Sequence, residues 1–379
     1  MAHAVYVVNG LNAALEKMRD FLESNDWTIL NNCTADFTPD TSGELDGGKI
    51  LAVKKGDVIA VMRTAVGRAV FEEQINHTPG TNVAGACGIA LTSCTQYTSN
   101  PSSGYWYEQV NAPVNTEQKI IGVGIAGVLG ANGTYKLHCN MATSPEVFAT
   151  FALQATVDGV DTFQHLAFGN VQKVGAWDGG TFIAGSRSSY EMFLSNLNNA
   201  TILDNTSNVL FGMSKMASTL VRINVDSAPV LKTPILWASS GDETGTKMST
   251  GKILGTMILN HDYLNNMPQY PHYGYLQSQN STDYGRNVNT LNCISVNLPI
   301  GLFIERDPNA LKNFSQIGYI PGIYAISMRN VAPTKMYEIN YPKSGNNHQV
   351  FPHCVRNGKH GYDGISILQE IVDNDTKTS

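Results

Sequence analysis

The sequence predicts a mainly β protein: two β-sandwich-like domains, with a short amphipathic helix packed on the first of them. Three observations lead there. Short apolar runs alternate with polar residues and are punctuated by Gly, Pro, Asn and Asp, the pattern of half-buried strands and tight turns. One stretch near the start stands out for helical periodicity. Only 15% of the 379 residues are charged, against roughly 25% in an average soluble protein. Such a surface is carried by Asn, Thr, Ser and Gly, as in secreted β-proteins and in subunits that bury surface against neighbours. The length exceeds one ordinary small domain, and the Asn-, Asp- and Thr-rich segment 200–207 offers the break. The expected units are 1–30, the helix region; 31–200, the first β-sandwich; and 201–379, a second β domain with a long aromatic loop over 260–290.

The helix is expected over 11–25. Leu11, Ala14, Leu15, Met18, Phe21 and Leu22 share one face, and Glu16, Lys17, Arg19, Asp20 and Glu23 fill the other. Asn9 or Asn12 would cap its start, Ser24-Asn25 its end, and Trp27 would pack with Phe21. Residues 50–53 and 58–64 flank Lys54-Lys55-Gly56-Asp57 as a β-hairpin. Extended chain over 66–75 and a small-residue strand over 85–91 come next. The polar loop 96–113 carries Tyr105, Trp106 and Tyr107. These rings suit a ligand platform or an interface anchor, and equally the rim of a sandwich. Residues 119–129 and 134–140 form a strand pair across Gly130-Ala131-Asn132-Gly133, and 147–157 is another strand.

Residues 162–186 organise this half of the chain. Phe163, His165 and Ala167 alternate with Gln164, Leu166 and Phe168, so one residue in two faces a core. Trp177 lies among Gly175, Gly179 and Gly180, which suggests backbone passing close to an indole. The structural core motif is therefore Phe163, His165, Phe168, Trp177, Gly179 and Gly180. Beyond it, 190–199 is expected as a short helix, 209–216, 220–225 and 235–239 as strands, and 240–250 as a polar loop. The irregular region 261–289 carries Tyr263, Tyr270, Tyr273, Tyr275 and Tyr284; a loop so long and aromatic is functional or interfacial rather than idle. Strands return over 291–304, bent at Pro299. Residues 319–328 and 335–339 form a pair. Residues 349–352 and 361–368 follow, ahead of a tail at 374–379.

No arrangement in the sequence calls for catalysis, a cofactor or a metal. Gly185-Ser186-Arg187-Ser188 lacks the second glycine of a nucleophile elbow. His165 sits in an alternating strand, as a hydrogen-bonded half-buried histidine rather than a base. His348, His353 and His360 lie near Cys354, but their spacings match no common metal pattern. Gly122-x-Gly124-x-x-Gly127 is followed by neither a helical pattern nor an acidic ribose partner, and reads as close strand packing. The six scattered cysteines include no C-x-x-C pair; buried free thiols and a reducing cytosol are expected, with a Cys87–Cys94 bridge as the alternative. A net charge of −6 without a basic run argues against nucleic acid as the main partner. No run of 18 apolar residues argues for membrane insertion, and the first residues lack the basic region of a secretory signal.

Several blocks together resemble a family. They are Phe21-Leu22 followed by Trp27, the turn Lys55-Gly56-Asp57, Tyr105-Trp106, FQHLAFGNVQKVGAWDGGTF, YIPGIYAISMRNVAP, Val350-Phe351-Pro352 and Gly361-Tyr362. In this order they resemble the virion structural proteins of tailed bacteriophages. The resemblance covers most of the chain. Its most specific part is the block from His165 to Gly180, and 255–290 carries none of it. It implies a non-enzymatic particle subunit of the tail, neck, collar or baseplate periphery, assembled in the bacterial cytoplasm. The implied partners are further copies of the chain and other virion proteins. Interface candidates are Tyr105, Trp106, Tyr107, Tyr263, Tyr270, Tyr273, Tyr275 and Tyr284, on patches that would bury against neighbours. A receptor-binding module that stacks host glycans on those rings is the alternative, with a polysaccharide depolymerase third.

Overall fold

The computed structural model describes residues 2–35, 47–68, 70–71, 82–101, 105–110, 112, 122–144, 146–157, 159–176, 179–188, 218–223, 235–238, 256–258, 298–305, 314–327, 331–338, 347–352 and 363–369. The expected helix 190–199, the break 200–207, the strand 209–216, the loops 240–250 and 260–290, and the tail lie outside them.

Within those residues the protein is mainly β, with three antiparallel sheets and one helix. In chain order the elements begin with β1 (Ala2–Asn9), α1 (Leu11–Glu23), β2 (Thr28–Ala35), β3 (Lys49–Lys55), β4 (Val58–Arg68), β5 (Asn82–Ser93) and β6 (Val123–Ala126). Then come β7 (Thr134–Ala142), β8 (Phe148–Val157), β9 (Val160–Asn170), β10 (Gln172–Lys173), β11 (Gly180–Gly185), β12 (Arg187–Ser188), β13 (Ser218–Ile223) and β14 (Ile235–Ala238). The last are β15 (Thr256–Ile258), β16 (Leu298–Glu305), β17 (Phe314–Ser327), β18 (Met336–Glu338), β19 (Asn347–Pro352) and β20 (Asp363–Gln369). The first sheet runs β1-β7-β8-β9-β11-β13-β14, the second β12-β6-β5-β4-β3-β2, and the third β15-β16-β17-β20-β19-β18 with β10 paired to β17.

The helix forms where its periodicity predicts, and Leu11, Ala14, Leu15, Met18, Phe21 and Leu22 are all buried. Its cap differs from expectation. Neither asparagine caps the start; Gly10, at φ 96, takes that place with no side-chain bond. The turn between β6 and β7 supplies the acceptors, with Gly10 N–H on Gly133 O and Leu11 N–H on Ala131 O, both at 2.9 Å. A side chain at Gly10 would meet Ala131 O at 3.0 Å, so backbone capping and a missing Cβ go together. At the other end Ser24 Oγ and Asn25 Nδ2 donate to Phe21 O, at 2.9 and 2.7 Å.

The helix lies against the first and second sheets and shares one core with both. From the second sheet come Leu51, Met62, Ile89 and Leu91; from the first come Leu137, Phe151, Leu166, Phe168 and Ile183. Trp27 meets Phe168 edge-on at 5.4 Å, and Phe21 meets Phe151 at 6.3 Å. The expected Trp27–Phe21 pairing is thus replaced by two contacts across the same core.

Two expected strand pairs are corrected. Residues 119–129 and 134–140 do not form a hairpin: β6 joins the second sheet and β7 the first. The intervening turn is a corner, clamped by Tyr135, whose hydroxyl accepts from Leu129 N–H and donates to Gly130 O. β17 and β18 share the third sheet but do not pair; β17 lies between β16 and β20, and β18 pairs β19. The pairing of β9 with β11 across the glycine-rich connection matches expectation.

Close backbone approach fixes where the first two sheets meet. A side chain on Gly185 would reach Gly124 N at 2.5 Å, so the Gly-x-Gly-x-x-Gly stretch is strand packing, as its context predicts. The chain leaves β11 there and enters the second sheet as β12, paired with β6.

Replacing Phe168 with Ala should destabilise the protein by about 3–5 kcal/mol, because the ring sits at the centre of a core closed by two sheets and a helix. Urea denaturation measures it. A loss below about 1 kcal/mol would show that this core does not close around the ring.

Candidate functional site

Strands β7, β8 and β9 are adjacent and antiparallel, and each buries both of its faces. One face enters the core shared with α1. The other lies under the third sheet and holds a group of buried polar side chains. His138 and Asn140 stand there on β7, Thr150 and Gln154 on β8, and Phe163 and His165 on β9, all buried. Phe351 of β19 packs against this group, with ring centroids 5.3 Å from His138, 5.8 Å from His165 and 6.1 Å from Phe163.

The polar atoms tie the sheets together. His165 Nε2 donates to the Pro352 carbonyl at 2.9 Å, and Gln369 Nε2 of β20 donates to Asn140 Oδ1. His138 Nε2 donates to Gln154 Oε1 at 2.8 Å. The His165 backbone N–H donates to Ser186 Oγ at 2.8 Å, and Ser186 N–H returns to His165 O at 2.9 Å. The serine hydroxyl therefore holds the backbone at the bend between β11 and β12 rather than facing the imidazole. His138 Nδ1, Asn140 Nδ2 and Thr150 Oγ1 have no hydrogen-bond partner among the described residues.

Burial sets the protonation states. It lowers the pKa of His165 from 6.5 to about 4, with the Pro352 hydrogen bond and His138 as smaller influences. It lowers that of His138 as well. Burial raises the thiols: Cys33 to about 11, and Cys87 and Cys139 also upward. These are protonated and poor nucleophiles at neutral pH. Cys33, Cys87 and Cys139 are free thiols, and the Cys87–Cys94 bridge is not made. Among the described residues no three His, Cys, Asp or Glu side chains gather as a metal site. No helix among them is long and apolar enough to cross a membrane.

The sequence-predicted core motif comes together in part. Phe163, His165, Phe168, Gly179 and Gly180 are buried. Phe163 and His165 face the third sheet and Phe168 faces the helix core. His165 is 1% exposed rather than half-buried, because a third layer covers its strand. Trp177 lies outside the described residues.

The interface candidates Trp106 and Tyr107 are instead buried against the chain's own sheet, closer to the sandwich-rim reading of the loop than to the platform. Trp106 and Tyr107 are 1% and 4% exposed and pack with Phe71, Val61 and Ala90 on the outer face of the second sheet. Trp106 Nε1 donates to Val70 O at 2.6 Å, and Gln109 Nε2 donates to Trp106 O at 2.9 Å. The indole and its polar handle are used inside the chain. Tyr105 is half-buried and stacks on Tyr107, with centroids 5.5 Å apart and planes 6° apart. Tyr263, Tyr270, Tyr273, Tyr275 and Tyr284 lie outside the described residues. Sequence reasoning missed the seam residues His138, Asn140 and Gln154, whose only signal is a polar residue at every second position of an otherwise apolar strand.

No protein-family model matches the chain, and no curated protein is similar to it. The phage resemblance rests on the sequence blocks alone.

The buried histidines predict an acid-sensitive seam. His165 has a folded pKa below its unfolded one, so between about 6.5 and 4 the unfolded chain binds a proton that the folded chain refuses. Its contribution is full above about pH 6.5 and is lost as pH falls towards 4, by roughly 3 kcal/mol. Denaturation curves from neutral pH downwards should show this decline, and His165→Gln, which keeps a donor for Pro352 O, should flatten it. An equal slope in the variant would assign the acid sensitivity elsewhere.

Proposed function

We propose that the chain is a non-enzymatic structural subunit of a tailed-bacteriophage particle, in the tail, neck, collar or baseplate periphery. It works by assembling with copies of itself and with other virion proteins, and its finer organisation is two β-sandwich-like units with the amphipathic helix packed on the first. The observation that carries this reading is what the reactive side chains do. The imidazole of His165 is bound to Pro352 O, Ser186 Oγ takes a backbone N–H, and the indole N–H of Trp106 is bound to Val70 O. Groups that elsewhere perform chemistry here hold layers in place. The charge-poor surface and the resemblance of the sequence blocks to phage virion proteins support the same reading. Glycan binding reads second: its described platform keeps Tyr105 alone near the surface.

Light scattering and negative-stain imaging of the purified protein, alone and mixed with particles lacking it, test the proposal. The expected result is a closed oligomer that docks at one place on the particle. A stable monomer that ignores particles and binds host glycans would overturn it in favour of the second reading.

A further inference from the structure

β1 is an open edge of the first sheet. Among the described residues it pairs with β7 alone, in unbroken register from Ala2↔Met141 to Asn9↔Thr134. Its free side can be assigned residue by residue. In an antiparallel ladder the N–H and C=O of one residue point to the same side, and successive residues alternate. Gly10 N–H bonds Gly133 O on the β7 side, so the even-numbered residues turn their backbone groups towards β7. His3, Val5, Val7 and Asn9 turn theirs outward. The same four residues are exposed, with Val5 at 46% and Val7 at 70%.

Natural edges are blunted against pairing by bulges, charges, proline or shortness. The other described edges follow that rule. β2 carries two register shifts and places Cys33 at φ 52. β12 has 2 residues, β15 and β18 have 3 each, and β14 has 4. β1 has 8 residues, Ala-His-Ala-Val-Tyr-Val-Val-Asn, with no charge, proline, glycine or bulge. It is the long, flat, uncharged edge among them.

We propose that this edge pairs with β1 of a second copy of the chain, antiparallel about a two-fold axis at Tyr6, joining two seven-stranded sheets into one. The occupant follows from self-complementarity. With Tyr6 on the axis, His3 lies opposite Asn9 of the second copy, and Val5 opposite its Val7. All four outward residues of each edge then meet outward residues of the other. Two bonds at each of four residue pairs give about eight backbone hydrogen bonds. Val5 and Val7 are covered by each other's counterparts. A strand of a foreign protein would need to match this pattern; a second copy matches it by symmetry. No like charges are brought together, because the strand has none. Lys17, over the Tyr6 ring, is paired with Asp20 at 2.8 Å, and Lys136 lies one strand further in, opposite Val7 on β7. The seam supplies a contact for the assembly reading and rests on that reading for its biological sense.

Cysteine scanning and sedimentation test it. At the axis Tyr6 faces its own copy in a non-hydrogen-bonded pair with Cα atoms about 4.5 Å apart, within disulfide reach. Tyr6→Cys should give a covalent dimer on mild oxidation, above the level of the parent protein. Ala4→Cys, whose two copies lie on opposite sides of the axis, should not. Val7→Pro removes an outward N–H without touching the β7 ladder, and Val5→Lys sets like charges on the seam. Each should weaken dimerisation by about 100-fold with an unchanged unfolding transition of the monomer. A wild-type protein that stays monomeric at high concentration, a dimer indifferent to both variants, or cross-linking through Ala4→Cys instead would overturn the proposal. If Val7→Pro still joins the particle, this seam fails and the virion reading stands. If β1 dimers form but ignore particles, the virion reading fails and the seam stands.

Discussion

Everything in this molecule follows from three central strands of one sheet that are buried on both faces. Antiparallel sheets commonly pack one face and wet the other. Here β7, β8 and β9 put Leu137, Phe151 and Phe168 into the helix core and Phe163, His165 and His138 under Phe351. A polar side chain on a strand buried twice has to look for its partners within the protein. That requirement explains why amides and imidazoles of the first sheet reach the backbone or side chains of the third. It also explains why a neutral imidazole is held so far below its usual pKa. The layers are held by matched donors and acceptors as well as by apolar area. Their register is therefore specified more tightly than hydrophobic contact alone would fix it.

The second constraint is the corner. Two sheets that share a chain must approach until their backbones nearly touch, and Gly124 against Gly185 provides the space. Just past that contact β11 becomes β12, and the His165 N–H finds Ser186 Oγ. The opposite corner, between β6 and β7, is clamped by Tyr135 and doubles as the cap of α1. One turn thus places the helix, separates two strands into different sheets and closes the core between them.

This explains which parts were legible in the sequence. The helix was, because its apolar stripe has a period that only an α-helix shares, and its six inward residues are all buried. So was the pairing of β9 with β11, because the glycines that reverse the chain are local. The pairing of β6 and β7 was misread because nearness in sequence is the best guide to strand neighbours, and a corner turn spelled Gly-Ala-Asn-Gly looks like a hairpin turn. β1 carries valines on the exposed face and apolar residues on the buried one, so no alternation marks it as a strand with an outside. The seam escaped notice because a residue such as Gln154 reads as the wet face of a strand until a third layer is laid over it.

The aromatic loop shows how composition misleads about exposure. A segment of small polar residues that crosses the outer face of a sheet has no periodic stripe with which to bury itself. It stays in place only if a few large side chains reach down, and Trp106 and Tyr107 do so onto Phe71, Val61 and Ala90. Aromatic residues in polar surroundings are thus evidence of attachment, and whether they attach to another molecule or to the chain's own sheet depends on what lies beneath. Beneath this loop lies the outer face of the second sheet, apolar at Ile50, Ala52, Ile59 and Val61. β1 is the opposite case. Every second residue turns its backbone groups outward, Val5 and Val7 are uncovered, and the strand itself carries no charge or bulge. Surface meant for a neighbour is better recognised in this fold by backbone left unpaired than by rings left in a loop.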